Sequence, residues 1–413
     1  MARAMAQAAR RASRDLLLSR PDARIAALVR VAELLRASSA DIVRANAIDV
    51  ANAVAQGKNQ AFIDRLVLDE PRIDAMAQSV NEVACLPEVL GTPLSETVRP
   101  NGLRVRRVRV PIGVVMMVYE SRPNVTIEAA SLCLKAGNAV ILRGGREAFE
   151  SNSALARIFR QALVEAGLPE SATQLVQTAD RAVIGQLLLQ HESIDLAIPR
   201  GGEALIRYVT ENARIPVVQH YKGVCHMFLD EGCDPEEASR LVHNAKMQRP
   251  GVCNALECLL VHRAEVQRVL VPLAKSLIQA GCELRGCPVT HSLVPGVSTA
   301  TEADWGTEFL DRILAVKVVN DLDEAMAHIA RYGSGHTEAI ITPNAAHADR
   351  FRQGVDAACV VVNASTRFHD GGELGLGAEI GIATSRLHWR GAMGLESLTT
   401  MKWIIDGTGQ TRL

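Results

Sequence analysis

The sequence predicts an α/β protein built from two principal domains and a small β-flap. Three observations carry this expectation. Between residues 113 and 212 short β-branched runs take turns with amphipathic helical patterns, the mark of a parallel sheet with crossover helices. A second series of the same kind begins near Cys225. A basic alternating segment at 103–110 and a strand-like tail at 398–405 fall outside both series.

Taken in order, residues 2–54 repeat apolar side chains at helical spacing, as in Ile25, Leu28, Val29, Val31, Leu34 and Leu35, so the chain opens on helices. Ser38, Ser39 and Asp41 supply a break and a new N-cap. Segment 103–110 reads Leu-Arg-Val-Arg-Arg-Val-Arg-Val, an exposed strand that runs into a buried one at 113–119. Then come a strand at 139–142, a helix at 150–166, a strand at 174–176, a helix at 181–189, a strand at 194–198 and a helix at 203–212. The second series places strands at 258–261, 313–319, 338–342 and 359–362. The tail is expected to pair with 103–110 as an oligomerisation flap. Domain limits are set at 1–224, 225–385 and 386–413, and no internal repeat is visible.

Composition narrows the function. With 48% hydrophobic and 22% charged residues, the 413-residue chain can bury sizeable cores, which excludes disorder over most of its length. A net charge of −1 leaves no basic field to draw in nucleic acid or anionic lipid, so a small-molecule partner is the default. Nine scattered cysteines, none in two-residue-spaced pairs, read as reduced cytosolic thiols and predict no metal. The Arg- and Ala-rich start resembles a transit peptide, but Asp15 and the unbroken helical continuation argue for mature protein. No apolar run approaches the ~20 residues of a membrane span. A cytoplasmic protein is expected.

Cys253 lies in Arg249-Pro250-Gly251-Val252-Cys253-Asn254-Ala255-Leu256-Glu257, where Pro and Gly end one element and another begins. A thiol on such a turn can meet backbone N–H groups that lower a thiol pKa and stabilise an oxyanion. Taken alone, a buried structural cysteine is the commoner reading.

The wider context is a resemblance. Residues 111–124, Pro-Ile-Gly-Val-Val-Met-Met-Val-Tyr-Glu-Ser-Arg-Pro-Asn, and 134–143, Leu-Lys-Ala-Gly-Asn-Ala-Val-Ile-Leu-Arg, resemble the aldehyde dehydrogenase superfamily. Three stretches, 119–126, 248–257 and 319–340, are similar to its branch that reduces γ-glutamyl phosphate. The last includes Tyr332-Gly333-Ser334-Gly335-His336-Thr337-Glu338-Ala339-Ile340. The resemblance implies a Rossmann-type cofactor domain over 1–224, carrying the helical start and the basic flap strand, a catalytic domain over 225–385, and a C-terminal return with an oligomerisation strand over 386–413.

It further implies that Cys253 is the nucleophile, that the Asn124 amide helps an oxyanion hole, and that Glu308 clamps the nicotinamide ribose. Alone, Asn124 after Pro123 is as well read as turn chemistry, and Glu308 as a surface carboxylate. NAD-preferring relatives carry a lysine after the Gly-Asn strand and a glutamate three residues on. Arg143-Gly144-Gly145-Arg146 puts a guanidinium at the acidic position, suited to a 2′-phosphate, so NADPH is expected; otherwise Arg146 simply opens a solvated helix. Gly201 and Gly202 would let the pyrophosphate or nicotinamide approach the backbone. The water-activating glutamate of many relatives corresponds to Gln219, which is no general base, or, with a one-residue shift, to His220. Arg122, Arg249 and Arg367 are candidates for the substrate's carboxylate and phosphate, without assignment of cation to anion. His226, His328 and His336 read as satisfied structural histidines.

The implied reaction runs from γ-glutamyl phosphate through a Cys253 thioester to glutamate 5-semialdehyde, a step toward proline. Homo-oligomerisation and transient contact with the kinase that makes the labile substrate go with it. A coenzyme A-acylating dehydrogenase, or a catalytically silent nucleotide-binding protein, are the alternatives.

Overall fold

The computed structural model describes residues 1–178, 180–219 and 221–412, so His220 lies outside the described residues. The chain divides into two compact units. The first comprises Met1–Gln219, Gly375–Gly381 and Met393–Leu413; the second His220–Leu374 and Ile382–Ala392.

The first unit opens on helices Ala2–Leu18, Pro21–Ala37, Ser39–Ala55, Gln60–Leu66 and Glu70–Cys85. Ala2, Ala6, Ala9, Ala12 and Leu16 make the buried stripe of the first of them, small side chains that permit close approach. The last begins at Asp69, whose carboxylate accepts from the Arg72 N–H at 2.9 Å. Strands β1 (Pro93–Val98) and β2 (Arg104–Pro111) follow, then β3 (Val114–Tyr119), β4 (Ala139–Arg143), β5 (Thr173–Leu175) and β6 (Leu196–Arg200).

Strands β3 to β6 form a parallel sheet in the order β5-β4-β3-β6, crossed by helices Asn124–Lys135, Phe149–Glu165 and Arg181–Leu188. All six residues of β3 are buried, which is why it reads as an unbroken apolar run. This order reverses between β3 and β6, and ligands of doubly wound sheets bind outside the carboxyl ends of the strands at such a reversal.

The tail forms strand Thr399–Asp406, antiparallel to β2, with the Arg107 guanidinium 5.7 Å from the Trp403 ring centroid. The anticipated pairing is present. Its partner is not the exposed strand that the alternation implies, because β1 covers the other edge of β2 and leaves it central in a three-stranded sheet. The short polar β1 was not legible in the pattern.

In the second unit β7 (Cys225–Leu229), β8 (Leu256–His262), β9 (Glu283–Gly286), β10 (Ser298–Thr299), β11 (Ile313–Val319), β12 (Thr337–Ile341) and β13 (Cys359–Val362) make a seven-stranded sheet. Its order is β10-β9-β11-β8-β7-β12-β13, parallel throughout. Alternate residues of β7 and β8 feed two apolar clusters. Met227, Leu259 and Val261 pack with helices Pro235–Met247 and Val271–Gln279, and Phe228, Cys258 and Leu260 pack with helices Leu322–Tyr332 and Ala345–Gly354. Cys253 therefore stands just ahead of β8, at the amino edge of this sheet. Among the described residues no helix is long and apolar enough to cross a membrane.

Candidate active site

Helix Pro235–Met247 ends short of Pro250, whose ring cannot continue it, and a turn closed by the Ala255 N–H on the Val252 carbonyl (3.0 Å) delivers the chain into β8. Cys253 is half-buried on this turn and Asn254 is fully buried. Three elements grip the peptide between them. The Cys225 thiol donates to the Cys253 carbonyl at 3.2 Å, and burial, with the Glu338 charge second, holds the Cys225 thiol well above its usual range. Thr366 donates its hydroxyl to the Asn254 carbonyl (2.7 Å), and the Asn254 amide donates to the carbonyls of Arg367 (3.3 Å) and His369 (3.0 Å).

Gly223 completes the grip: a Cβ there would stand 1.9 Å from the Cys253 carbonyl oxygen and 2.9 Å from its Cα. Those are backbone atoms and cannot rotate away. Gly223→Ala is expected to push the thiol turn outward, and displacements of about 1 Å lower turnover by about 10²-fold. Steady-state kcat together with thermal melting checks this. An alanine enzyme with normal kcat would show that the contact is relieved without moving the thiol.

Two arginines belong to the segments that carry and hold this turn. Arg367, half-buried, donates from Nε to Gln248 at 3.0 Å. Burial lowers its pKa, Asp370 opposes this, Arg249 lowers it further and Cys253 raises it, so both Arg249 and the thiol lie within its field. Arg249 is exposed and forms no ion pair among the described residues. Glu308 lies on the loop after the turn Glu302–Gly306. Lys222 holds this loop at the Gly306 carbonyl (2.7 Å), and the Leu310 N–H holds it to Glu257 (3.3 Å). Glu257 sits at the start of β8 and is pushed up to about 7 by burial, with Lys246 opposing and the Glu308 charge adding to the push. Thus Cys253, Arg249, Arg367 and Glu308 share one edge of the second unit.

The first unit holds the other candidates in segments that follow β3, β4 and β6. Arg122 is exposed. Asn124 opens its helix, and its Nδ2 donates to Glu128, one turn on, at 2.6 Å. Ser121, in the left-handed region at φ 52°, is held by Glu147, which accepts from its N–H (2.7 Å) and hydroxyl (3.1 Å). Arg143 is buried at the end of β4, and Arg146 is exposed without an ion pair among the described residues. Gly144 and Gly145 have internal reasons to lack side chains, because a Cβ would stand 2.1 Å from Asn152 and 2.0 Å from Glu147 respectively. The Gly202 N–H donates to the Glu120 carboxylate (2.9 Å), and a Cβ on Gly201 would lie 2.5 Å from that same carboxylate. A phosphate oxygen bound to the Gly202 N–H must therefore displace Glu120. Gln219 accepts from the Thr210 hydroxyl.

Glu120, Glu128, Glu147, Gly223 and Cys225 escaped the sequence reading. Only Glu128 carried a local signal, its four-residue spacing from Asn124. His336 also belongs to a polar chain, with Nδ1 2.7 Å from the Thr337 hydroxyl, which lies 2.8 Å from His369 Nδ1; His369 Nε2 accepts from the Ala392 N–H at 3.1 Å.

Comparison with known proteins places this geometry in context. Residues 1–283 match the aldehyde dehydrogenase family. The chain is 56% identical to a γ-glutamyl phosphate reductase of Sorangium cellulosum, over 99% of this chain and 97% of that relative. It is 53% identical to one from Desulfatibacillum aliphaticivorans, over 99% and 98%. The crystal structure of a γ-glutamyl phosphate reductase from Thermotoga maritima superposes with a TM-score of 0.98 at 44% identity, covering 100% of both chains.

Proposed function

This chain belongs to the aldehyde dehydrogenase family, and on that premise we propose that it reduces γ-glutamyl phosphate to glutamate 5-semialdehyde with NADPH, releasing phosphate, as the second step of proline biosynthesis. The observation that carries the reading is a turn thiol, Cys253, whose neighbour Asn254 is bound to the Arg367 carbonyl at 3.3 Å, with the Arg367 guanidinium feeling the charges of both Arg249 and the thiol. That grouping suits an acyl phosphate, whose reacting carbon sits beside a multiply charged leaving group.

Cys253 attacks the acyl carbon as thiolate, forming the C–S bond while the C–O bond to phosphate breaks. The Cys253 N–H and the Asn124 amide donate to the oxyanion. Arg249 and Arg367, with Arg122, neutralise the phosphate and the α-carboxylate. Gln219 supplies no carboxylate to activate water, which favours reduction of the thioester over its hydrolysis. The cofactor supplies the hydride that reduces this thioester. Collapse of the hemithioacetal then returns the thiol.

The family uses a nicotinamide cofactor, and the reversal between β3 and β6 fits one. Arg143 and Arg146 would meet its 2′-phosphate and Glu308 its ribose. Gly144 and Gly145 shape the turn between the arginines. Because Glu120 occupies the Gly202 N–H, Gly201 and Gly202 suit the uncharged nicotinamide better than the pyrophosphate. Arg146→Glu is expected to lower the NADPH-over-NADH preference by roughly 10- to 100-fold, the worth of one or two charge-assisted hydrogen bonds, measured as the ratio of kcat/KM for the two cofactors. An unchanged ratio would remove Arg146 from the site.

The division 1–224, 225–385 and 386–413 corresponds in this reading to cofactor binding, catalysis and oligomerisation. Strand Thr399–Asp406 shows Met401, Trp403 and Ile405 to solvent, an alternating apolar face suited to a second copy in a cytoplasmic homo-oligomer. Instability of the acyl phosphate makes transient contact with glutamate kinase advantageous.

The decisive assay runs the reaction backwards: glutamate 5-semialdehyde and NADP⁺, with absorbance of NADPH followed with and without inorganic phosphate. Strict dependence on phosphate, without coenzyme A, is expected. Turnover without phosphate would mean a hydrolytic dehydrogenase, and a requirement for coenzyme A an acylating one.

A further inference from the structure

We propose that His226 Nε2, Cys258 Sγ and His328 Nε2 form a buried binding site for a zinc ion within the second unit. One ligand atom from each residue lies within 4.8 Å of the others, and all three residues are buried. Cys258 Sγ and His328 Nε2 are 3.7 Å apart. A tetrahedral site with Zn–S about 2.3 Å and Zn–N about 2.05 Å separates two such ligands by about 3.6 Å. That side of the triangle needs almost no movement, and a side at the 4.8 Å limit must close by about 1.2–1.5 Å.

His226 carries the second requirement of a metal ligand. Its Nδ1 sits 3.0 Å from the Glu338 carboxylate, which also accepts the His226 N–H at 2.9 Å. Such a carboxylate behind an imidazole fixes the ring and its tautomer in zinc sites. The opposite nitrogen, Nε2, is buried and has no hydrogen-bond partner. His328 is clamped between Trp305 (ring centroids 5.5 Å) and Tyr332 (4.6 Å), which fixes its ring beside the Cys258 thiol.

Charge favours a dication here. Zinc, a Cys258 thiolate and the Glu338 carboxylate sum to zero, where an uncompensated buried charge is costly. Lys317 Nζ, 3.4 Å from His328 Nδ1, must turn away on loading, and it lies 3.4 Å from Glu324, which can take it. The ligands come from β7, β8 and helix Leu322–Tyr332. This is why the cysteine spacing in the sequence predicts no metal.

The test uses the intact protein. Equilibrium dialysis against Zn²⁺ with elemental analysis is expected to give one zinc per chain, retained in Cys253→Ala, which lacks the half-exposed thiol. Cys258→Ser and His328→Gln should each lose it, and Glu338→Gln should weaken it by about 10- to 100-fold. Co²⁺ in place of zinc should give a thiolate charge-transfer band that is absent in Cys258→Ser. Circular dichroism of the metal-free variants establishes that each is folded; if Cys258→Ser is not, His328→Gln carries the comparison. No zinc uptake by the parent chain, uptake unchanged in folded His328→Gln, or uptake lost only in Cys253→Ala would each overturn the proposal.

Discussion

Cys253→Ala is expected to lower kcat for phosphate-dependent turnover by at least about 10⁴-fold, because the proposed covalent route through this thiol is lost and only positioning and charge stabilisation remain. The neighbouring thiols cannot replace it. Cys225 is fully buried, uses its S–H on the Cys253 carbonyl, and is held in the thiol form by burial. Cys258 is buried on β8 with its side chain toward the opposite cluster, against His328. Cys225→Ala removes one hydrogen bond to the Cys253 carbonyl, worth about 1 kcal/mol, and should cost no more than about 10-fold in kcat. Kinetics of the two variants, with mass spectrometry of acid-quenched enzyme for an acyl adduct on the peptide containing Cys253, separate the roles. Equal losses in both, or an adduct that survives Cys253→Ala, would refute the assignment.

The second large effect is on stability. Lys246 Nζ and Glu257 Oε2 are 2.6 Å apart, and both side chains are fully buried. Taking away one member strands the other charge in an apolar surrounding, typically a loss of about 3–5 kcal/mol. Lys246→Met and Glu257→Gln should each lower the denaturant midpoint accordingly. The double variant Lys246→Met/Glu257→Leu should recover most of the loss, since apolar replacement of a whole buried pair is often neutral. Additive losses in the double variant would mean that the pair matters for packing, not for charge compensation. Glu257 also accepts from the Leu310 N–H, so Glu257→Leu, which removes the acceptor, should loosen the Glu308 loop and raise the KM for cofactor.

Only part of this site was legible beforehand, and the division follows the range of the forces. Alternation at 103–110 and the apolar run of β3 are written in neighbouring residues, since side-chain direction in a strand repeats every two positions whatever the rest of the chain does. Pro250 and Gly251 announce the turn under Cys253 for the same local reason. The order of elements and the turn that carries Cys253 were therefore open to reading from sequence and resemblance. Tertiary structure decided who touches whom. Cys225 reaches Cys253 across 28 residues, and Glu338 reaches His226 across 112, because β7 lies between β8 and β12. Glu120 meets Gly202 across 82 residues because β6 pairs with β3. No period links such positions. They become neighbours through strand order, which is selected by burial of whole faces and leaves each polar partner to be found where the sheets bring it.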